Sequence, residues 1–424
     1  MIVIIASFIV LLALGIPIAL ALGISSLTYL IVFGQLHLLL AMPQRMLAGI
    51  DNFVLLTIPL FILAGNIMNA ASLTRHIVRF AQMIVGRLSG GLAVVNVIAS
   101  MLFAGVSGAA TAEASAIGSV MVPAMVRDGY RAAYAAALTA VGSLLGPMIP
   151  PSLSLILYGV LTGTSIGDLF VAGIGPAIML MALMIAYVVW RARVEGHPRA
   201  PQLTLAEKRS AAIGAVPAVL LPVIIVGGIR GGVFTPTEAA AVACLYALLV
   251  GFFVYRSLTG RQIYDSFSET ATVSAGIMLV IASASITAFV LGIEDIPRRV
   301  AEGFLGLTGD RMMLIVLLNI LLLVLGLFLE PLAAMILVMP VLTQLAPVIA
   351  LDPVQLGIMV VLNLMIGMVT PPVGLVLFIV GSISRAPLER VSLEALPFIA
   401  LALVVLAAVI IFPPLSLFLP NLFH

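Results

Sequence analysis

A single cysteine, Cys244, stands in 424 residues, so the chain has neither an internal disulfide nor a cysteine-built metal cluster. Charge is scarce as well. Asp, Glu, Lys and Arg make up 8% of the residues, and the net charge of +2 comes with no basic run, which argues against nucleic acid as a partner. The four histidines, His37, His76, His197 and His424, fall in predicted loops, arms or the terminus. None can pair with a buried serine, as a hydrolytic dyad requires. There is no HExxH run and no aspartate pair within an apolar span, so metalloprotease and aspartyl-protease chemistry lack their residues. What fills the chain instead is apolar: 63% of it is hydrophobic, more than a soluble domain can hide. The class that follows is an all-α polytopic membrane protein embedded in a lipid bilayer. Cys244 sits in Ala243-Cys244-Leu245 and reads as packing. Residues 2–33 form an uncut apolar run with no small-residue cleavage site after it, so they are not read as a signal peptide.

Apolar runs predict spans at roughly 2–33, 50–69, 131–164, 168–190, 211–229, 235–255, 270–291, 353–384 and 395–412. Two further segments, 90–126 and 311–347, each hold two apolar stretches around a polar or Gly-rich middle. Arms of about 15 to 18 residues fall short of the roughly 20 that cross 30 Å of hydrocarbon, so these segments are predicted to be re-entrant helical hairpins. Amphipathic stretches near 72–87 and 294–306 predict arms along the bilayer plane.

The spans over 131–164 and 353–384 are each interrupted at a Pro-Pro pair, in Gly146-Pro147-Met148-Ile149-Pro150-Pro151-Ser152 and Gly367-Met368-Val369-Thr370-Pro371-Pro372-Val373-Gly374. Each proline removes an amide donor and clashes with the preceding turn, so neither helix runs on undisturbed. Unpaired backbone groups are costly in lipid, and a break survives where protein, water or ligand satisfies it. Order of elements repeats between the halves, and five crossings between the copies invert the second. Matched breaks in inverted repeats point to the substrate and ion site of a secondary transporter. The units are then scaffold at 1–89, hairpin 1 and first broken helix at 90–167, and a closing and a connecting span at 168–234. They continue as scaffold of the second repeat at 235–310, hairpin 2 and second broken helix at 311–385, and a closing span at 386–424.

Nine crossings place fourteen arginines and lysines on one face (Arg75, Arg79, Arg87, Arg127, Arg131, Arg191, Arg193, Arg199, Lys208, Arg209, Arg256, Arg261, Arg385, Arg390) and five on the other (Arg45, Arg230, Arg298, Arg299, Arg311). The positive-inside rule makes the rich face cytoplasmic, with the N-terminus there and the C-terminus periplasmic.

The aspartates, Asp168 among them, all lie near span ends, and the acids that reach membrane depth are few: Glu113 and Glu330, one per hairpin, with Glu238 and Glu269 as further candidates. They are either functional groups or structural acceptors for hairpin-tip amides. So small a supply disfavours a proton relay and suits sodium, which needs only a cage of oxygens. Ser107, Gly108, Gly146, Ile149 and Pro151 form one candidate sodium cage; Gly326, Gly367, Thr370 and Val373 form its mirror image. Helix ends with free amides suit an anionic substrate. Its candidate contacts are Thr111, Glu113, Glu330, Pro150 and Pro371. Thr235-Pro236-Thr237-Glu238 spells a capping box, and Asn66 and Asn96 read as bonds between helices.

The run Asn52-Phe53-Val54-Leu55-Leu56-Thr57-Ile58-Pro59-Leu60-Phe61, followed by Ala64-Gly65-Asn66, resembles the large membrane subunit of tripartite ATP-independent periplasmic (TRAP) transporters. So do Gly90-Gly91-Leu92-Ala93-Val94-Val95-Asn96, Phe234-Thr235-Pro236-Thr237-Glu238-Ala239-Ala240 and the Gly-Met-Val-Thr-Pro-Pro segment from Gly367. The resemblance runs the full length. It implies a sodium-driven elevator for an organic acid, working with a small four-helix membrane subunit and a soluble periplasmic substrate-binding protein. The chain opens on the first span of such a subunit, so the small subunit is expected to be a separate polypeptide. One departure is Ala109-Ala110 at the first hairpin tip, where the resemblance leads to an expected serine. Two other classes stay in view: a self-sufficient sodium-coupled carboxylate carrier of the same architecture, and an intramembrane enzyme, which the missing dyads disfavour.

Overall fold

The computed structural model describes residues 2–85, 88–197 and 204–422, and every regular element among them is helical. α1 (Ile2–Ala13) and α2 (Ile18–Val32) divide the first apolar run. Gly15, at φ +77°, gives its amide to Leu12 O at 2.9 Å, and Ile16 gives its amide to Leu11 O at 3.1 Å. This is the glycine-ended stop of a helix, and Pro17, lacking an N–H, then starts α2. The chain reverses there. Ile4, early in α1, joins an apolar cluster with Tyr29 and Leu30, late in α2. The expected single crossing over 2–33 is therefore corrected to two short helices side by side. The N-terminal end lies on the same side as residues 34–50, not opposite them.

α3 (Ala41–Ile50), α4 (Thr57–Ala70) and the arm α5 (Leu73–Val85) follow. α5 buries Leu73, Ile77, Val78, Ala81 and Val85 and exposes Arg75 and Arg79, the two-sided pattern expected of an arm. Hairpin 1 is α6 (Gly91–Ser107) and α7 (Ala110–Arg127). The first broken helix is α8 (Ala132–Gly142) and α9 (Leu153–Thr162), closed by α10 (Ile166–Ala172) and α11 (Ile174–Glu195). The connecting helix α12 (Leu205–Arg230) leads into α13 (Pro236–Leu249) and α14 (Gly260–Ile293). In the second half come the arm α15 (Ile296–Leu307), hairpin 2 as α16 (Arg311–Phe328) and α17 (Pro331–Ile349), and the broken helix α18 (Pro353–Met368) and α19 (Leu375–Ser384). α20 (Leu388–Ile411) and α21 (Pro414–Leu422) complete the chain. Both Pro-Pro bonds, Pro150-Pro151 and Pro371-Pro372, are cis.

Eight helices among the described residues are long and apolar enough to cross a membrane. They include α16 and α17, of 18 and 19 residues, so the arms of hairpin 2 lie at the upper edge of the length the sequence suggested. They reverse because only Leu329 and Glu330 separate them and Pro331 starts α17.

One apolar core runs from α2 to α20. Within it, α6 and α7 pack on α8, α16 on α18, and α20 on both α8 and α18, while α4 packs against α13 and α14 on the other side. Polar pairs tie these helices together where no water competes. Asn96 gives its amide to Thr139 at 2.7 Å, Asn363 to Asn319 Oδ1 at 2.7 Å, and Asn66 to Thr270 at 3.1 Å. The capping box at Thr235 and Glu238 forms, and so do two more, Thr204 with Glu207 and Thr259 with Gln262. At one end of the bundle Arg131 and Arg191 each pair with both Glu195 and Glu394 at 2.7–3.2 Å, fastening α11 to α20. Elsewhere the Arg230 guanidinium pairs with Asp168 and donates to Pro420 O at 3.1 Å, joining α12, α10 and α21.

Candidate functional site

The tip of hairpin 1 rests on the first break by backbone contact. Gly108, at φ +64°, accepts the Leu153 amide at 3.3 Å, and a Cβ at Gly108 would collide with the Pro151 carbonyl. Only glycine meets both demands: left-handed φ and no side chain against a neighbouring backbone. The break is closed by Ser152, which caps α9 through Leu155 N at 3.2 Å and donates its hydroxyl proton to Pro147 O.

Hairpin 2 meets the second break in the same manner. A Cβ on Gly367 would sit 2.6 Å from Gly326 Cα, so these two glycines bring α16 and α18 into backbone contact. Thr370 gives its amide to Gly367 O at 3.0 Å and its hydroxyl to Ile366 O at 2.7 Å, which leaves the hydroxyl lone pairs free to accept.

A cavity of about 540 Å³ lies between the two tips and the wall made by α4 and α14. Of the sequence-predicted residues, Ser107, Gly108, Thr111 and Glu330 line it. Gly146, Ile149, Pro150 and Pro151 are buried outside its lining, and Gly326, Gly367, Thr370, Pro371 and Val373 do not line it either. The breaks reach the cavity through other residues, Pro147 from the first and Met368 from the second. The two tip acids part company. Glu330 is the N-cap of α17, its carboxylate accepting from Leu332 N at 3.1 Å, which is the structural alternative raised above. Glu113 is fully buried and faces Ser100 and the backbone of Gly146, with no hydrogen bond of ordinary geometry to either carboxylate oxygen among the described residues.

The cavity wall also carries polar groups that sequence reading did not assign to it: Asn69, Ser115, Ser154, Thr272, and Asn66 in addition to its bond to Thr270. Glu269 lines it too, an acid noted in the sequence only for its depth. These residues come from helices up to two hundred positions apart, and no local pattern marks them. Chemically the cavity offers hydroxyls, amides, helix ends and two carboxylates, with no cationic side chain and no cluster of His, Cys, Asp or Glu fit for a metal among the described residues. That suits reversible binding of a polar solute.

The sequence matches the family model described as "Tripartite ATP-independent periplasmic transporter, DctM component" over residues 5–415. It is 39% identical over 411 residues to the sialic acid TRAP transporter large permease protein SiaM of Vibrio cholerae, covering 96% of each chain. To the C4-dicarboxylate TRAP transporter large permease protein DctM of Rhodobacter capsulatus it is 35% identical over 423 residues, again covering 96% of both. Among solved structures, the Alcanivorax borkumensis YdaH transporter superposes with a TM-score of 0.61 at 14% identity, over 90% of each chain, a likeness of fold alone.

Proposed function

The chain belongs to the DctM component family of tripartite ATP-independent periplasmic transporters, and from that premise we propose that it imports an organic acid across the inner membrane, driven by sodium. It is a multi-pass transport subunit, not an enzyme. The relatives named for sialic acid and C4-dicarboxylates support an organic acid as substrate, and their designation as large permeases supports two partners, a small membrane subunit and a periplasmic binding protein. The observation that carries the proposal is the convergence of both hairpin tips and both breaks on one cavity beside α4 and α14. In this reading the hairpins and broken helices move as a body against the wall of α4 and α14, an elevator that carries the cavity from one face to the other.

Sodium is co-transported and sits behind the tips. The first cage draws on the Ser107 hydroxyl and the carbonyls of Gly108, Gly146, Ile149 and Pro151; the second uses Gly326, Gly367, Thr370 and Val373. Supporting this, the Ser107 hydroxyl is buried without a hydrogen-bond partner among the described residues, and Thr370 keeps its acceptor side free. The arginine-rich face is cytoplasmic, although Arg87 and Arg199 of that count lie outside the described residues. Because α1 folds back on α2, the N-terminus then lies on the periplasmic side with residues 34–50.

The test is uptake of labelled organic acid into proteoliposomes holding the chain with a small membrane subunit and a binding protein. Uptake is expected to need all three and an inward sodium gradient. Equal uptake by the chain alone would instead mark a self-sufficient carrier, and uptake indifferent to sodium would remove the coupling. In the same assay Thr370→Ala is expected to raise the sodium concentration for half-maximal uptake about tenfold, the equivalent of about 1.4 kcal/mol from one lost ligand. An unchanged sodium curve would take Thr370 out of the cage.

A further inference from the structure

The two hairpins are built alike, yet their tips differ toward an anion. Each turns a helix N-terminus to the cavity, the natural seat of a carboxylate. At α17 that seat is already filled from within the chain. Pro331 has no N–H to offer, and the Leu332 amide is bonded to the Glu330 carboxylate at 3.1 Å.

At α7 the seat is open. Its N-cap is Ala109, in extended conformation at φ −136°, and no side chain caps the first turn. The first bond of the helix runs from Glu113 N to Ala109 O at 3.1 Å, so the amides of Ala110, Thr111 and Ala112 precede it. A second observation points the same way. Ser107 lines the cavity beside this end, is only 9% exposed, and its hydroxyl has no hydrogen-bond partner among the described residues. The opposite wall is rich in acceptors: Glu269, Glu330, and the carbonyl oxygen of Asn66, whose amide group is directed to Thr270.

We infer that the site takes one carboxylate per substrate, and that the substrate is a hydroxylated monocarboxylate and not a dicarboxylate. Its carboxylate sits on the amides of Ala110–Ala112 and accepts the Ser107 hydroxyl proton, while the oxygen of that hydroxyl stays with the first sodium, and its own hydroxyl groups donate to Glu269, Glu330 and Asn66. A second carboxylate would meet Glu269 and Glu330 across the cavity, where no cationic side chain stands to balance it. The inference rests on the reading of this cavity as an organic-acid site and narrows it.

The probes are D-gluconate, a polyhydroxy monocarboxylate, succinate, a dicarboxylate, and glucitol, an uncharged polyol. The full chain in lipid nanodiscs with sodium is titrated with each, following thermal stabilisation. Gluconate is expected to bind at least about tenfold tighter than succinate, and glucitol to give no shift. Glu330→Ala empties the α17 seat and removes an acid, and is expected to tighten succinate binding about tenfold. Should that variant fold poorly, Glu269→Gln leaves both tips intact and is expected to tighten succinate binding about threefold. Succinate binding as tight as gluconate to the unaltered chain would overturn the inference while leaving an organic-acid carrier standing. Stabilisation by neither acid would overturn both, and stabilisation by glucitol equal to that by gluconate would show that the carboxylate seat is not used.

Discussion

Gly108→Ala is expected to abolish uptake while leaving the chain inserted in the membrane. Two effects add at this position. Alanine at φ +64° is disfavoured by roughly 1–2 kcal/mol, and its methyl group meets the Pro151 carbonyl, an overpacking of backbone on backbone that costs about 1–3 kcal/mol. A combined penalty of about 3 kcal/mol reduces the docked tip roughly a hundredfold, at 1.4 kcal/mol per tenfold. Gly129→Ala is the control. It has φ +94° but nothing within 4 Å of an added Cβ, so it incurs the backbone term without the collision and is expected to keep most of its uptake. Parallel measurement of uptake and of protein in the membrane fraction separates the two. Uptake by Gly108→Ala within threefold of the parent would mean that hairpin 1 does not work from its docked position.

The second large effect is on stability. Arg230→Ala leaves the Asp168 carboxylate, 9% exposed, without its guanidinium, and frees the Pro420 carbonyl. Removing one partner of a largely buried pair costs about 3–5 kcal/mol, because the remaining charge stays desolvated. The expected result is a clear drop in melting temperature of the purified chain. Adding Asp168→Asn to Arg230→Ala is expected to recover part of that loss, since the largely buried negative charge is then gone. A double variant no more stable than Arg230→Ala alone would show that the arginine does not act through its ion pair with Asp168.

The parts of this molecule that were legible in the sequence are those decided by local backbone chemistry. Two Pro-Pro pairs stop helices wherever they stand, and Thr235 with Glu238 caps one for the same reason. The reversal at Gly15-Ile16-Pro17 was also written locally, but 32 uncharged, mostly apolar residues in a row match a tilted crossing, and a lone Gly-x-Pro is tolerated within spanning helices. The reversed α1 and α2 settle against α14, a partner some 250 residues downstream. Asp168 was placed near a span end without its partner, because a pair separated by 62 positions leaves no periodic trace. Gly326 and Gly367 were singled out for their carbonyls, and in the structure they also serve as the contact where two helices touch. The wall of the cavity was the least legible part. Asn69, Ser115 and Thr272 look like ordinary polar residues on apolar helices until α4 and α14 stand across from the tips.

The fold-back of α1 on α2 has a practical consequence for anything joined to the start of this chain. A reporter fused there would emerge beside residues 34–50, on the arginine-poor face. With that face periplasmic, as proposed, alkaline phosphatase, active only outside the cytoplasm, would report, and green fluorescent protein exported unfolded would stay dark. For the same reason, tethering a protein whose C-terminus ends in the cytoplasm would take one additional apolar helix as the link, and a flexible linker alone would have to thread the bilayer.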